Sequence, residues 1–274
     1  MLRSMYSGIS GLKNFQTKLD VIGNNIANVN TYGFKKSRTI FKDLYSQTVA
    51  GASGPNATGT RGGVNPKQVG LGSQLAAIDT IHGAGSTQFT GNTLDLAIEG
   101  DGYFRVQDGA TAADALYTRA GNFYLVENPD DATQAIIVDG DGRFLLDSAD
   151  AKITVPLNAT SLSIGQTGVV NYVVDGELEG TQVIALAKFN NPGGLEKAGG
   201  NLFKVSANSG AASVGEPLGD GGHGAIKSGS LEMSNVDLSE EFTEMIVAQR
   251  GFQANTRIIT TSDEILQELV NLKR

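Results

Sequence analysis

Near the N-terminus the sequence reads SMYSGISGLKNFQTKLDVIGNNIANV over residues 4–29, and its apolar side chains recur every three or four positions. The recurring positions are Met5, Ile9, Leu12, Phe15, Leu19, Ile22, Ile26 and Val29. This spacing predicts an α-helix with a single apolar stripe, close to a heptad seam. The helix should end in the turn that the asparagines and the glycine of residues 28–33 favour.

A second stretch of the same kind lies near the C-terminus. Asp237-Leu238-Ser239-Glu240 has the form of a helix-initiating capping box, and no proline follows it. Apolar residues then recur at Leu238, Phe242, Met245, Ile246, Phe252, Ile259, Leu266, Leu269 and Leu272. A long helix with one apolar face is not stable alone in water, so we expect it to have a partner along its length.

The charges of the two stretches are complementary. Residues 1–35 carry four basic and one acidic side chain, 4 − 1 = +3, and residues 236–274 carry four basic and seven acidic ones, 4 − 7 = −3. Each exposed ion pair contributes only about 1 kcal/mol or less, so charge would select the partner while apolar burial supplies the energy.

An amphipathic helix is most often part of a globular core. Here two such helices stand at opposite ends of a separate body, which favours self-assembly through the two ends, paired as helices with further copies. We assign self-assembly to these residues: Ile9, Leu12, Leu19, Ile22, Ile26, Leu238, Phe242, Ile246, Phe252, Ile259, Leu266 and Leu269.

The region between the helices has the pattern of short strands punctuated by glycine turns. The candidate strands are residues 94–99, 103–106, 121–126, 136–138, 143–146, 153–155, 168–174, 182–187 and 202–205. The predicted fold class is therefore α+β, with terminal helices forming a coiled-coil-like core segment and a central antiparallel all-β domain.

Three domains are expected along the chain. Residues 1–35 and 234–274 would form the helical assembly domain, residues 36–74 an extended glycine-rich connector, and residues 75–233 the outer β-rich domain. Residues 208–224 resemble the connector in composition and predict a second pliable joint.

Composition and motifs argue against several functions. A net charge of −8 disfavours nucleic-acid binding, and the absence of cysteine excludes disulfides and thiolate chemistry. No run is long and apolar enough for membrane insertion, and the first residues lack the apolar core of a cleaved signal.

No pattern of catalytic or cofactor-binding residues stands out, so we expect no enzymatic activity and no cofactor. Asp139-Gly140-Asp141-Gly142 resembles the start of a calcium loop, but Phe144 occupies the position that needs glycine, so a tight hairpin turn is favoured. His82 and His223, the only histidines, are expected to be exposed or packed rather than catalytic.

Several longer motifs resemble those of the bacterial flagellar rod and hook proteins. They are GNNIANVNTYGFK at 23–35, LDLAI at 94–98 with GYF at 102–104, YTRAGNF at 117–123, SNVDLS at 234–239 and AQRGFQAN at 248–255. The resemblance implies a subunit of a hollow tubular helical polymer, with the terminal helices inside and the β-domain outside. It also implies export through the flagellar type III apparatus, and a location in the flagellar basal body or hook, outside the cell.

Within that family the chain resembles a short hook protein first and a distal rod protein second. The Asp-Leu-Ser at 237–239 and the Leu-Val-Asn-Leu at 269–272 resemble the hook, while residues 45–68 resemble a connector of the distal rod. The hook would be a curved universal joint that transmits torque to the filament, and the rod a drive shaft. The implied partners are further copies, rod and hook–filament junction proteins, the hook assembly cap and the export apparatus.

Overall fold

A computed structural model describes residues 2–54, 62–108, 115–129, 131–219 and 221–272 of the chain. Two long helices flank a series of short strands. Helix α1 spans Leu2–Ala27 and helix α2 spans Leu238–Asn271. Both helices lie where the sequence predicts them, and the strands between them pair antiparallel, so the α+β fold class is confirmed.

The strands are short and follow one another closely. Their bounds are β1 Ser37–Asp43, β2 Gln47–Ala50, β3 Lys67–Val69, β4 Ser73–Thr80, β5 Thr87–Phe89, β6 Leu96–Glu99, β7 Tyr103–Gln107, β8 Ala115–Thr118, β9 Tyr124–Glu127, β10 Gln134–Val138, β11 Phe144–Leu145, β12 Thr154–Pro156, β13 Ser161–Ile164, β14 Val169–Val174, β15 Glu177–Val183, β16 Leu186–Lys188, β17 Glu196–Gly199, β18 Leu202–Lys204, β19 Ser213–Gly215, β20 Ala225–Ser228 and β21 Ser230–Glu232.

The chain divides into two compact units. The first holds the described residues of Met1–Ala27, Ser37–Thr80 and Asp237–Arg274, and the second holds those of Asn28–Lys36 and Ile81–Val236. The chain therefore passes between the units four times. The domain boundaries expected from the sequence stay a prediction.

In the first unit, α1 packs against both α2 and the β1–β4 pair. Strands β1 and β4 pair from Ser37 opposite Thr80 to Asp43 opposite Ser73, with a register shift between Ile40 and Phe41. Strands β2 and β3, which lie between β1 and β4 in the sequence, pair with each other. Paired strands thus occupy part of the segment expected as an extended connector.

The second unit is built on a ten-stranded sheet whose main path runs β12-β10-β11-β7-β8-β18-β17, with β9, β16 and β19 attached. A three-stranded sheet, β13-β14-β15, and the pairs β20–β6 and β21–β5 complete it. Its main core contains fully buried apolar side chains such as Leu96, Phe104, Ile137 and Leu186. A smaller aromatic cluster contains Tyr103, Tyr117, Phe189 and Phe203. This unit therefore has its own apolar core.

The turn after β10 is the hairpin that the sequence favours over a calcium loop. Val138 pairs with Phe144 across it. The guanidinium of Arg143 lies inside the turn, with Nη1 3.1 Å from Asp139 Oδ2 and 2.6 Å from Asp141 Oδ2. An arginine thus neutralises the carboxylates that a calcium ion would need.

Residues 208–224 do not form the predicted joint to the C-terminal helix. The described residues among them, 208–219 and 221–224, lie within the second unit, where Ser213–Gly215 pairs with β16. That prediction is wrong because glycine content alone does not separate a linker from a loop that returns to its own sheet. The chain enters α2 from residues 233–237, directly after β21.

Candidate assembly site and its buried anchors

The two terminal helices run antiparallel and approach each other closely where glycine removes a side chain. At Gly251 a Cβ atom would lie 2.5 Å from the ring of Phe15, and at Gly11 it would lie 2.9 Å from Asn255 Oδ1. A Cβ at Gly8 would meet the side chain of Ile259 at 3.4 Å. The close approach therefore depends on glycines of both helices.

Polar contacts set the pairing of the helices near the other end of α1. Lys18 forms an ion pair with Glu244, as the opposite charges of the two stretches predict. Asn25 is 1% exposed, and its Nδ2 donates to Glu241 Oε2 at 3.2 Å. Asn25 also donates to the carbonyl of Ser37 at 2.8 Å and accepts from the N–H of Ser37 at 3.0 Å. One asparagine thus holds the end of α1, the start of β1 and the start of α2 together.

Helix α2 begins as the sequence predicts. The carboxylate of Asp237 accepts hydrogen bonds from the backbone N–H groups of Ser239 and Glu240, at 2.8 and 3.4 Å. These two groups have no partner within the helix, so the aspartate caps them. Acidic Glu240 and Glu241 in the first turn also suit the positive end of the helix dipole.

The residues assigned to self-assembly fall into two groups. One group is buried or half-buried in the single chain: Leu12, Leu19, Ile22, Ile26, Ile259 and Leu266. The others stay exposed in the single chain: Ile9, Leu238, Phe242, Ile246, Phe252 and Leu269. Their role in assembly stays a prediction.

The exposed apolar residues of α2 form two rows. Leu238, Phe242 and Ile246, four residues apart, are 39%, 50% and 59% exposed. Further along, Ile258, Ile265, Leu269 and Leu272 are 43%, 47%, 48% and 82% exposed. A soluble monomer rarely leaves so many large apolar side chains on one helix uncovered, and apolar patches of this kind are typical of interaction surfaces.

The segment that follows α1 is fixed on the second unit. Gly33 has φ of +69°, and a Cβ there would lie 2.5 Å from the backbone nitrogen of Ala120. Its N–H donates to the carbonyl of Glu232 at 2.8 Å. Only glycine meets both demands, a left-handed backbone and contact with another chain segment.

Two residues beyond Gly33, the chain buries a charge. The ammonium of Lys35 lies 2.6 Å from Glu232 Oε1 and donates to the carbonyl of Gly83 at 2.9 Å. Arg119 donates from Nη1 to Glu232 Oε2 at 3.2 Å and from Nη2 to the carbonyl of Gly100 at 2.9 Å. Glu232 therefore accepts from two cations, one on each carboxylate oxygen.

Burial and charge shift the ionisation of this cluster. Burial lowers the pKa of the Lys35 ammonium, against the opposing attraction of Glu232. Burial alone would raise the pKa of Glu232, but the charges of Arg119 and Lys35 and their hydrogen bonds hold it below its ordinary value. The cluster thus sets two basic side chains against one carboxylate, and their charges favour the ionised form of Glu232 over the burial that opposes it.

Asn235 joins the chain segments that pass between the units. Its Oδ1 accepts from the N–H of Lys36 at 2.7 Å, and its Nδ2 donates to the carbonyl of Ile81 at 2.8 Å. The N–H of Ile81 in turn donates to the carbonyl of Lys36 at 2.8 Å. Three of the four crossings are therefore tied to one another within the second unit.

Sequence reasoning did not assign roles to Asn25, Asn235 or the Lys35–Glu232–Arg119 cluster. Four of these residues lie inside the motifs quoted for the family resemblance, so the motifs themselves were the available signal. Glu232 lies two residues before the SNVDLS motif and carries no local pattern. Only the fold brings it to a lysine 197 positions away.

The described residues hold no group of three or more His, Cys, Asp or Glu side chains arranged to bind a metal ion. Among the helices of the described segments, none has the length and apolar content to cross a membrane.

Comparison with known sequence families matches three parts of the chain. Residues 5–35 match the family described as flagella basal body rod protein, and residues 97–172 match the D1 domain of the flagellar hook protein FlgE/F/G. Residues 227–272 match the C-terminal part of the flagellar basal body rod FlgEFG protein.

Individual relatives align over the full length. The flagellar basal-body rod protein FlgG of Bacillus subtilis is 61% identical over 275 residues, covering 100% of both chains. The chain belongs to the flagellar rod and hook protein family. FlgG of Caulobacter vibrioides is 38% identical over 99% of this chain, and the flagellar hook protein FlgE of Borreliella burgdorferi is 32% identical over 100% of it.

Membership of the flagellar rod and hook family confirms the resemblance read from the motifs. It makes the chain a structural subunit of the axial part of the flagellum. The family models cover most of α1 and the segment that follows it up to Lys35, a part of the second unit, and the chain from the end of β20 through α2. These matches include Lys35, Arg119, Glu232 and Asn235, the residues that anchor the chain crossings.

Proposed function

We propose that this chain is a distal rod subunit, a structural and non-catalytic building block of the flagellar drive shaft. The observation that carries the proposal is the 61% identity to the rod protein FlgG of Bacillus subtilis over the whole of both chains. The hook protein of Borreliella burgdorferi is 32% identical, over an alignment of 444 residues that contains long insertions relative to this chain. The comparisons favour the rod over the hook, the reverse of the order in which the sequence ranked them.

The apolar rows of α2 support a polymer as the working state. Inside one chain, α1 covers only the face of α2 that carries Ala248, Gly251 and Ile259, so the rows around Phe242 and Ile265 need cover from other copies. Each Å² of apolar surface that one subunit buries against another contributes about 25 cal/mol. Because the same contact recurs at every subunit, these contributions add up along the tube. We assign subunit contacts to these rows and the outer position to the β-rich unit.

The tied chain crossings fit a shaft better than a universal joint. A hook needs connectors that let its outer parts slide, whereas a rod needs connectors held in one arrangement. Asn235 ties Lys36 to Ile81, and Asn25 ties α1 to β1 and α2, each within its own unit. These bonds restrain the connectors at their ends, which favours the rod.

The remaining partners follow from this assignment. A distal rod subunit meets further copies of itself, the rod subunits below it and the hook above it. It reaches that place through the flagellar type III export apparatus and ends outside the inner membrane. The junction proteins and the hook cap, which were expected as partners of a hook subunit, then contact the hook and not this chain.

Assembly of the purified chain tests the proposal. The full-length chain is concentrated or seeded with rod fragments, and the products are imaged by electron cryomicroscopy. Straight tubes with the helices inside support the rod assignment. Curved tubes would support the hook assignment instead. A chain that stays monomeric when seeded would contradict the assembly role altogether.

A further inference from the structure

The last turns of α2 reach past the described start of α1. In the antiparallel helix pair Gly8 lies against Ile259. Leu2, the first described residue of α1, comes six positions before Gly8 and therefore faces α2 near position 265. The end of α2 over residues 265–272, which we call the overhang, thus lies at or beyond the described start of α1.

The overhang leaves its apolar side uncovered. Its large apolar side chains are exposed: Ile265 at 47%, Leu269 at 48%, Val270 at 68% and Leu272 at 82%. Because a helix turns by about 100° per residue, these side chains lie on the face that α1 covers further back along α2 and on the flank beside it. The exposed carboxylates of Asp263 and Glu268 stand at the two borders of this face. The overhang therefore presents an apolar strip between two negative charges.

A second uncovered surface lies on α1, on the side away from α2. Tyr6 is 69% exposed and Ile9 is 46% exposed. At about 100° per residue, Tyr6 points about 160° away from Gly8, which faces α2. The exposed side chains of Arg3 and Lys13 lie within about 60° of Tyr6 on the same side of the helix. This surface, which we call the α1 outer face, is apolar with two positive charges.

The two surfaces are alike in polarity and opposite in charge. Apolar contact between them supplies the attraction, and the opposite charges select the partner and its orientation. Within one chain they cannot meet, because the overhang continues the side of α2 that faces α1 while the outer face of α1 points away from α2. Only a second copy can bring the two surfaces together.

We propose that the overhang of α2 packs on the α1 outer face of a second copy, where it covers Tyr6 and Ile9. Each copy offers one surface of each kind, so the contact is head-to-tail and leaves one surface of each kind free on a pair of chains. It extends into an open helical assembly wherever the rotation between copies does not close a ring. The inference rests on the proposed function, because it assigns one of the subunit contacts of the tube.

Cysteine cross-linking tests the contact directly, since the chain has no cysteine of its own. In the variant with Tyr6→Cys and Leu269→Cys, mild oxidation of the assembled full-length chain should give a ladder of dimers, trimers and longer products on a denaturing gel. The dilute monomer should give none of them. The matched control combines Tyr6→Cys with Leu178→Cys, at an exposed apolar residue of β15, and should give no ladder.

Charge reversal gives a second and independent readout. Lys13→Glu should raise the critical concentration for assembly about threefold or more, because it sets a third carboxylate against Asp263 and Glu268. Glu268→Lys in the same chain should restore assembly toward that of the wild type. Glu268→Lys should not compensate Lys42→Glu, at an exposed lysine of β1 outside the α1 outer face.

Tubes that form without the ladder would overturn this contact and leave the rod assignment intact. A ladder without compensation between Lys13→Glu and Glu268→Lys would overturn the pairing of charges across it. Products that stop at dimers would overturn the head-to-tail arrangement, because two copies would then exchange their overhangs and close. A chain that does not assemble when seeded would overturn both this contact and the proposed function.

Discussion

The Lys35 ammonium and the Glu232 carboxylate form an ion pair of 2.6 Å in which the side chains are 0% and 1% exposed. Lys35 belongs to the segment between α1 and β1, and Glu232 is the last residue of β21, just before the chain continues to α2. The pair therefore joins the outgoing and the returning chain on the β-rich unit. Buried ion pairs often contribute little net stability compared with apolar residues, but breaking one partner leaves an uncompensated charge.

Replacing Glu232 should therefore be far more harmful than replacing Lys35, because Glu232 also pairs with Arg119. We expect Glu232→Leu to lower the free energy of unfolding of the β-rich unit by about 3–5 kcal/mol, because Lys35 and Arg119 then stay buried without a carboxylate. Lys35→Met, which leaves Glu232 paired with Arg119, should cost less. Urea unfolding followed by tyrosine fluorescence measures both.

The control for this pair is Lys227 with Glu99, which lie 3.1 Å apart at 47% and 53% side-chain exposure. Glu99→Leu should cost about 1 kcal/mol or less, because water screens both charges. A similar small cost for Glu232→Leu would show that the buried carboxylate does not hold the two chain segments together.

Acid should weaken the chain through His82 before it reaches Glu232. The pKa of His82 is lowered to about 4 in the folded chain from an ordinary 6.5, so the unfolded chain binds the proton first. The free energy of unfolding should then fall as the pH drops from about 6.5 to about 4. Below that pH, His82 should cause no further loss of stability. Glu232, whose pKa is held below 4.5, adds its own loss only at lower pH.

Two measurements check this. The His82 imidazole signals should titrate with a midpoint near pH 4, and His82→Gln should flatten the decline in stability between pH 6.5 and 4. A midpoint near 6.5 would contradict the burial of His82 against the cations.

The sequence predicted the elements that follow from local periodicity and missed those that depend on long-range contact. The stripe from Met5 to Ile26 and the cap at Asp237 located both helices, because helix period and capping are encoded within a few residues. The roles of Asn25 and Glu232 were missed, since each is defined by partners that are 216 and 197 positions away. The inner face of α2 was also partly missed, because it is lined by small residues such as Ala248, Gly251 and Ser262, which an apolar pattern does not mark.

Glycine at 251 should be required for the helix pair. In Gly251→Ala the new Cβ would lie 2.5 Å from the Phe15 ring, so the helices must separate or the ring must turn away. We expect a loss of about 1–3 kcal/mol, the usual cost of overpacking, and faster amide hydrogen exchange across α1. The matched control is Gly23→Ala in α1, where no atom lies within 4 Å of the new Cβ. That change should stabilise the helix by about 0.5–1 kcal/mol, and equal effects at both sites would show that the close approach is not limiting.

The exposed row of α2 should be needed for assembly and dispensable for the fold of the single chain. Ile246 is 59% exposed, so Ile246→Asn should change the free energy of unfolding of the monomer by no more than about 0.5 kcal/mol. In a tube the same residue would be buried against another copy, where an unpaired amide is costly at every repeat. We therefore expect sedimentation to show at least a tenfold rise in the critical concentration for assembly.

Two variants serve as controls. Glu264→Gln, at an exposed polar residue of the same helix, should leave the critical concentration unchanged. Ile22→Ala, at a residue only 4% exposed, should instead destabilise the monomer by about 2–5 kcal/mol. Normal assembly of Ile246→Asn would remove this row from the subunit contact and leave the row around Ile265 to carry it.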